Sequence, residues 1–162
     1  MNDVNYHNSV HLAAIIEGQL AQDRPNAIIV PTSNPGKDDE HYIGLVMRVY
    51  ADGSNLNTFK GYVTFRYCEV KRKAKVLFLP VLSSIELRDE DFNPFPTPVK
   101  IHFEPNKVQT EDALAWTQAL TEANASGIVD LRQKEEFFMS KLGEGRLNVA
   151  YEKILDLIDG TL

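Results

Sequence analysis

The stretch Phe59–Asp91, FKGYVTFRYCEVKRKAKVLFLPVLSSIELRDED, limits what this chain can fold into more than any other. Phe59, Val63, Phe65 and Tyr67 alternate with Lys60, Tyr62, Thr64 and Arg66, the pattern of an antiparallel strand with one face in a core and one wet. EVKRKAK then reads as a basic connection to VLFLP, a strand apolar on both faces and closed by Pro80. Ser83-Ser84 leads into IELR, with Ile85 and Leu87 inward and Glu86 and Arg88 outward. Three consecutive strands are the expectation.

The flanks add strands in front and helices behind. SVHLAAIIEGQLAQ places Val10, Ala13, Ala14, Ile15/Ile16 and Leu20 at helical spacing behind a cap at Asn8 or Ser9, and Pro25 ends the helix. Ala27–Val30 and Tyr42–Tyr50 read as strands, the second with Ile43, Leu45, Met47 and Val49 on one face. DEDFNPFPTP, rich in proline, reads as irregular and extended, with Phe92 and Phe95 stapling it to the domain. VKIHF resumes the alternation.

From Thr110, the expected cap, the period becomes helical, with Ala113, Trp116, Ala119/Leu120 and Ala123 as the buried stripe. Asp130 caps a second helix, Gly143-Glu144-Gly145 reads as a break, and a third helix carries Leu147, Ala150/Tyr151, Ile154/Leu155 and Ile158. The expected fold class is α+β: a small antiparallel β-barrel or strongly curved sheet with an N-terminal helix and a three-helix C-terminal region. Residues 1–108 form the helix-plus-sheet part, and 109–162 an acidic helical region packed on the same domain.

Charge is distributed unevenly. The net charge is -6, yet Lys60–Lys75 carries six bases against Glu69, whereas residues 109–162 carry ten acids and five bases. This contrast separates a basic β region from an acidic helical one, and suits an anionic partner for the first or mutual attraction of the two. The hydrophobic share of 43% is enough for a core. No apolar run approaches the roughly 18 residues of a membrane span. The polar start MNDVNYHNS resembles neither a secretory signal nor a transit peptide, so the expected setting is cytoplasmic.

Candidate chemistry is sparse. His7 and His11 share a helical spacing without a third metal ligand, and Cys68 has bases nearby but no positioned general base. Asp38-Asp39-Glu40 and Asp89-Glu90-Asp91 lack calcium-loop spacing and read as solvated loops. Phosphate-loop, dinucleotide and nucleophile-elbow motifs are missing, so no enzyme, cofactor or metal site is expected. The basic loop is more informative: Lys71, Arg72, Lys73 and Lys75, with Lys60 and Arg66 beside Tyr62, combine charge with an aromatic ring as single-stranded nucleic acid binders do.

The same stretch resembles the barrel segment of the stringent starvation protein B family, which delivers tagged substrates to the ClpX unfoldase. Phe65, Lys71–Lys75, Val76–Pro80 and Ile85–Asp91 stand where that family has a strand, a basic loop, an apolar strand ending in proline and a strand with a charged end. Glu69–Arg72 replaces the family's glycine pair, and roughly the last 55 residues and the family's tail find no counterpart. The resemblance covers about a third of the chain and implies a peptide-binding groove on a small barrel. The leading expectation is therefore a non-enzymatic adaptor engaging a protein or peptide near Tyr42–Tyr50 and Tyr62–Arg66, with Val46, Tyr50, Lys60, Tyr62, Arg66, Lys71, Arg72, Lys73 and Lys75 as contact residues. The competing expectations are a single-strand nucleic acid binder and a viral or other assembly subunit that forms homo-oligomers.

Overall fold

The structure, a computed structural model, describes residues 3–32, 44–72, 75–103 and 112–162, with residues 3–10, 44–45, 67–72 and 75–81 as backbone path only. Helix α1 (Asp3–Asp23) leads into strands β1 (Ile28–Thr32), β2 (Gly44–Tyr50), β3 (Phe59–Arg72), β4 (Lys75–Arg88) and β5 (Pro94–His102). Helices α2 (Ala113–Ala125) and α3 (Leu131–Asp159) follow. The five strands form one antiparallel sheet in chain order, β1-β2-β3-β4-β5. The fold is α+β, and the sheet is open: β1 and β5 do not meet, so no barrel closes.

The core lies on one face of this sheet. Ile29, Met47, Val49, Val63, Phe65, Ile85 and Leu87 pack there against Leu12, Ala13, Ile16 and Leu20 of α1 and Leu147, Ala150, Ile154, Leu157 and Ile158 of α3. The alternation of β2 and β3 thus puts Val63 and Phe65 inward as expected. Helix α1 begins at Asp3, ahead of the expected cap at Asn8 or Ser9, and Ala14 is exposed. The α1 partners His11, Gln19, Asp23 and Arg24 meet Glu144, Asn148, Tyr151 and Asp159, ascending together, so α1 and α3 run parallel.

The sequence suggested three strands where the chain makes two. Pro80 lies inside β4, opposite Glu69. It is tolerated because β5 pairs with β4 only from Ser84 onward, so that side of β4 carries no described strand at Pro80. EVKRKAK is likewise mostly strand, since β3 continues to Arg72 and β4 starts at Lys75. The PFPTP segment is also strand, at the sheet edge where missing N–H donors cost least. Its register jumps from Val99 opposite Leu87 to Pro94 opposite Arg88, leaving 95–98 as a bulge. Phe95 packs partly against the core and Phe92 against Tyr62, which fits the expected stapling.

There are two C-terminal helices, not three. Gly143 and Gly145 sit within α3, which spans 29 residues and is about 43 Å long at the usual helical rise. A Cβ on Gly145 would meet the Ala115 Cβ at 2.5 Å, so the glycine allows a close crossing of α2 and α3 and does not end the helix. The same crossing rotates the stripe of α2: the small Ala115, Ala119 and Ala123 face α3, and Leu120 is exposed. Ala115, Ala119 and Leu142, with Trp116, Phe138 and Met139, form a small cluster separate from the main core. Asp130 caps α3 as expected, accepting from the Gln133 N–H at 3.0 Å, and Gly160 closes it in a left-handed conformation.

One buried ion pair joins these parts. Arg146 of α3 and Asp112 are both fully buried, with the guanidinium 3.0 Å from the carboxylate. Arg146 also donates to the Leu82 carbonyl at 2.8 Å and lies over the Phe103 ring at 5.0 Å. Asp112 occupies the N-cap position of α2 without capping it, because its carboxylate faces Arg146. The expected cap, Thr110, lies outside the described residues.

Candidate functional site

Three surfaces of the sheet present themselves: the face away from the helices, the two edges, and the far end of the β3–β4 hairpin. The outer face is built by cross-strand rows. Val30, Arg48, Tyr62 and Arg88 occupy one row, and Thr32, Val46, Thr64, Glu86 and Lys100 the next.

Aromatic rings close one end of this face. Between Val49 opposite Gly61 and Tyr50 opposite Phe59 the β2–β3 register shifts by a residue. This bulge reverses the parity of the strand end. Phe59, expected inward with Val63, packs instead on outer-face Tyr50 and Tyr62, at centroid distances of 5.4 and 5.1 Å. Lys60 leaves the outer face: its Nζ lies 3.9 Å from where a Gly160 Cβ would be, at the C-terminal end of α3, where a cation is favoured. Gly61 makes the bulge possible, with φ 137° and a Cβ position only 2.3 Å from the Arg88 carbonyl oxygen.

Phe92 completes the cluster. It meets Tyr62 edge-on at 5.1 Å and carries the Arg88 guanidinium at 4.5 Å from its ring centre. Phe92 is non-glycine with φ 66°, a conformation held by its surroundings. Asp89 Oδ1 accepts from the Asp91 and Asn93 N–H groups, and Arg88 donates to the Phe92 carbonyl at 3.0 Å. The Asp89-Glu90-Asp91 cluster is therefore the frame of a tight turn.

This arrangement corrects the expected stacking platform. Tyr62 is only 5% exposed between Phe59 and Phe92, so its ring offers no face to a nucleic acid base. Val46 at 2% and Tyr50 at 9% are buried as well, and none of the three presents a contact surface. Arg48 is exposed, 5.9 Å from the centres of both Phe59 and Tyr62. Arg66 is half-buried on the outer face opposite Gly44 and Ser84. Arg88 is tied to Glu86.

The two edges are protected very differently. β5 carries Pro94, Pro96 and Pro98, a four-residue bulge and Lys100, all of which discourage another strand from pairing. β1, IIVPT, has no charged residue, and Pro31 is its single breaker. Its outer-face Val30 is 40% exposed. β2 and β3, where partner contact was expected near Tyr42–Tyr50 and Tyr62–Arg66, are interior strands paired on both sides. The missed signal was that absence of charge in Ala27–Val30, which marks a strand either central or deliberately open.

At the third surface, the described pairing of β3 with β4 extends beyond the last described pairs of either strand with its other neighbour. Beyond Arg66 opposite Gly44, and Ser84 opposite His102, the described pairs are β3 with β4 alone, ending at Arg72 opposite Lys75. Lys71, Arg72 and Lys75 lie at this end, far along the strand from Lys60, and Lys73 is outside the described residues. Cys68 pairs in the register with Val81. His11 bonds Glu144 at 2.9 Å, and no group of three or more His, Cys, Asp or Glu among the described residues is placed to hold a metal. No described helix is long and apolar enough to cross a membrane.

No protein-family model, curated protein or solved structure matches this chain.

Proposed function

We propose that this protein is a non-enzymatic binding module that captures an extended segment of a protein partner as an added strand along β1. The observation that carries the reading is the asymmetry of the sheet: β5 is blocked by three prolines and a bulge, while β1 is uncharged and, among the described residues, pairs with β2 alone. An unprotected edge invites backbone pairing, so sequences that do not use an edge generally charge it or cover it. Val30 and half-buried Ile28 alternate with core-facing Ile29 along this edge, and supply apolar positions for the incoming strand's outward side chains. Arg48, beside Val30 in the same row, is an exposed cation that favours an acidic group on the partner.

Selection from a random twelve-residue peptide library on immobilised protein tests this, with Val30→Lys as the matched control. Enrichment of alternating, β-forming peptides that lose binding to Val30→Lys is the expected result. Peptides that bind both proteins equally would place recognition elsewhere.

A further inference from the structure

We propose that α2 is a self-association surface, on which a second copy of this chain docks with its own α2 antiparallel to form a symmetric dimer. The pattern of the helix is the first observation. Ala113, Trp116, Leu120 and Ala123 follow one another at intervals of three and four residues and so line one stripe. That stripe is not the face α2 turns to its own chain. The buried residues of α2 are Ala115, Ala119 and Ala123, with Ala115 set against Gly145 of α3, while Leu120 is 48% exposed and Trp116 half-buried beside Phe138. The helix packs its smallest side chains inward and keeps its larger apolar ones at the surface, the reverse of what burial rewards within a single chain. An aligned apolar stripe left at the surface marks a contact site.

Symmetry and charge identify the occupant as a second copy. The spacing of the stripe reads the same in both directions along the helix. In an antiparallel pair centred on Gln118, Trp116 lies against Leu120 of the second copy, Leu120 against its Trp116, and Ala113 beside its Ala123. A two-fold interface needs this self-complementarity, each patch meeting the same patch. The charge of the chain points the same way. Two copies each carrying -6 repel over most of their surfaces, yet α2 holds a single ionisable residue, Glu122, and its exposed Thr117, Gln118 and Thr121 are neutral. Depletion of charge around a tryptophan is the composition of an interface centre. A helix of 13 residues, about 20 Å long at the usual rise, gives a contact at the small end of specific interfaces. The dimer is accordingly weak, with a Kd of order 10–100 µM.

Sedimentation velocity of the full chain from about 2 to 500 µM tests this. The weight-average mass should climb from 18.3 kDa toward twice that value, and emission from Trp116, the single tryptophan, should move to shorter wavelength over the same range. Leu120→Lys should raise the Kd at least tenfold while the circular dichroism and melting midpoint of the dilute protein stay those of the parent, since the position is exposed. Leu114→Lys adds the same charge to α2 at a 69% exposed position about 120° around the helix from Leu120, and should dimerise as the parent does. A mass that stays at 18.3 kDa to the highest concentration overturns the proposal, as does self-association that Leu120→Lys leaves intact. Self-association abolished by Val30→Lys and not by Leu120→Lys would assign the contact to β1 and overturn it too. The β1 proposal is read from peptide binding and this one from mass, so either can fail while the other stands.

Discussion

Replacing Arg146 with Met separates the buried ion pair from its surroundings with little change in shape. The substitution leaves the fully buried Asp112 carboxylate without its partner and removes the hydrogen bond to the Leu82 carbonyl. Removing one member of a buried pair costs about 3–5 kcal/mol, because the remaining charge stays desolvated. For a chain of this size that corresponds to a melting midpoint lowered by roughly 10 °C, and takes a large part of a typical total stability of about 5–15 kcal/mol. Urea unfolding followed by Trp116 fluorescence and by circular dichroism gives both the size of the loss and its location. Trp116 packs on Phe138 in the small α2–α3 cluster, so a fluorescence transition earlier than the dichroism one would mean that α2 detaches first. Asp112→Asn in the same background completes a double-mutant cycle, and the double variant should recover at least about 2 kcal/mol relative to the summed single losses. A cost below about 1 kcal/mol for Arg146→Met, or an additive cycle, would refute the claim that this pair ties α3 to the sheet and to α2.

Three further outcomes follow from particular contacts. Tyr151 is pushed up to about 12, by burial first and then by its 2.7 Å hydrogen bond to Asp23. Its neutral phenol therefore adds stability that is whole below pH 10 and is lost as pH rises toward 12, and Tyr151→Phe should remove a late step from an alkaline absorbance titration. The two glycines of α3 should respond in opposite senses in thermal melts. Gly143→Ala meets nothing within 4 Å and should stabilise by about 0.5–1 kcal/mol, whereas Gly145→Ala collides with Ala115 and should destabilise by about 1–2 kcal/mol despite its better helix propensity. Val30→Lys, at a 40% exposed edge position, should shift stability by no more than about 0.5 kcal/mol while lowering affinity for selected peptides at least tenfold.

The parts of this fold that could be read in advance are those where a local period settles the answer. Val63 and Phe65 inward, Asp130 as a cap and Leu147–Ile158 as a buried stripe all come from alternation or helical spacing. The misreadings share another cause, in that a residue's usual effect was overruled by what packs beside it. Gly145 looked like a helix break but makes room for Ala115. Pro80 looked like a strand end but lies where β4 has a side without a described neighbour. The bulge at Lys60 exchanged the faces of Lys60 and Phe59, which no alternation rule foresees, and with Phe92 it turned the exposed Tyr62 of the sequence reading into an enclosed one. The proposed binding edge escaped the sequence reading for a related reason. Strand order decides which strands have free backbone, and strand order is a property of the whole sheet.

The most direct measurement on the proposed binding mode is a nuclear Overhauser experiment on isotope-labelled protein bound to an unlabelled library-selected peptide. Strand addition predicts intermolecular backbone contacts, Hα to Hα and Hα to amide, running in register along Ile28–Thr32 and absent from Pro94–His102. Contacts confined to side chains of the outer face, or a ladder along β5, would contradict it.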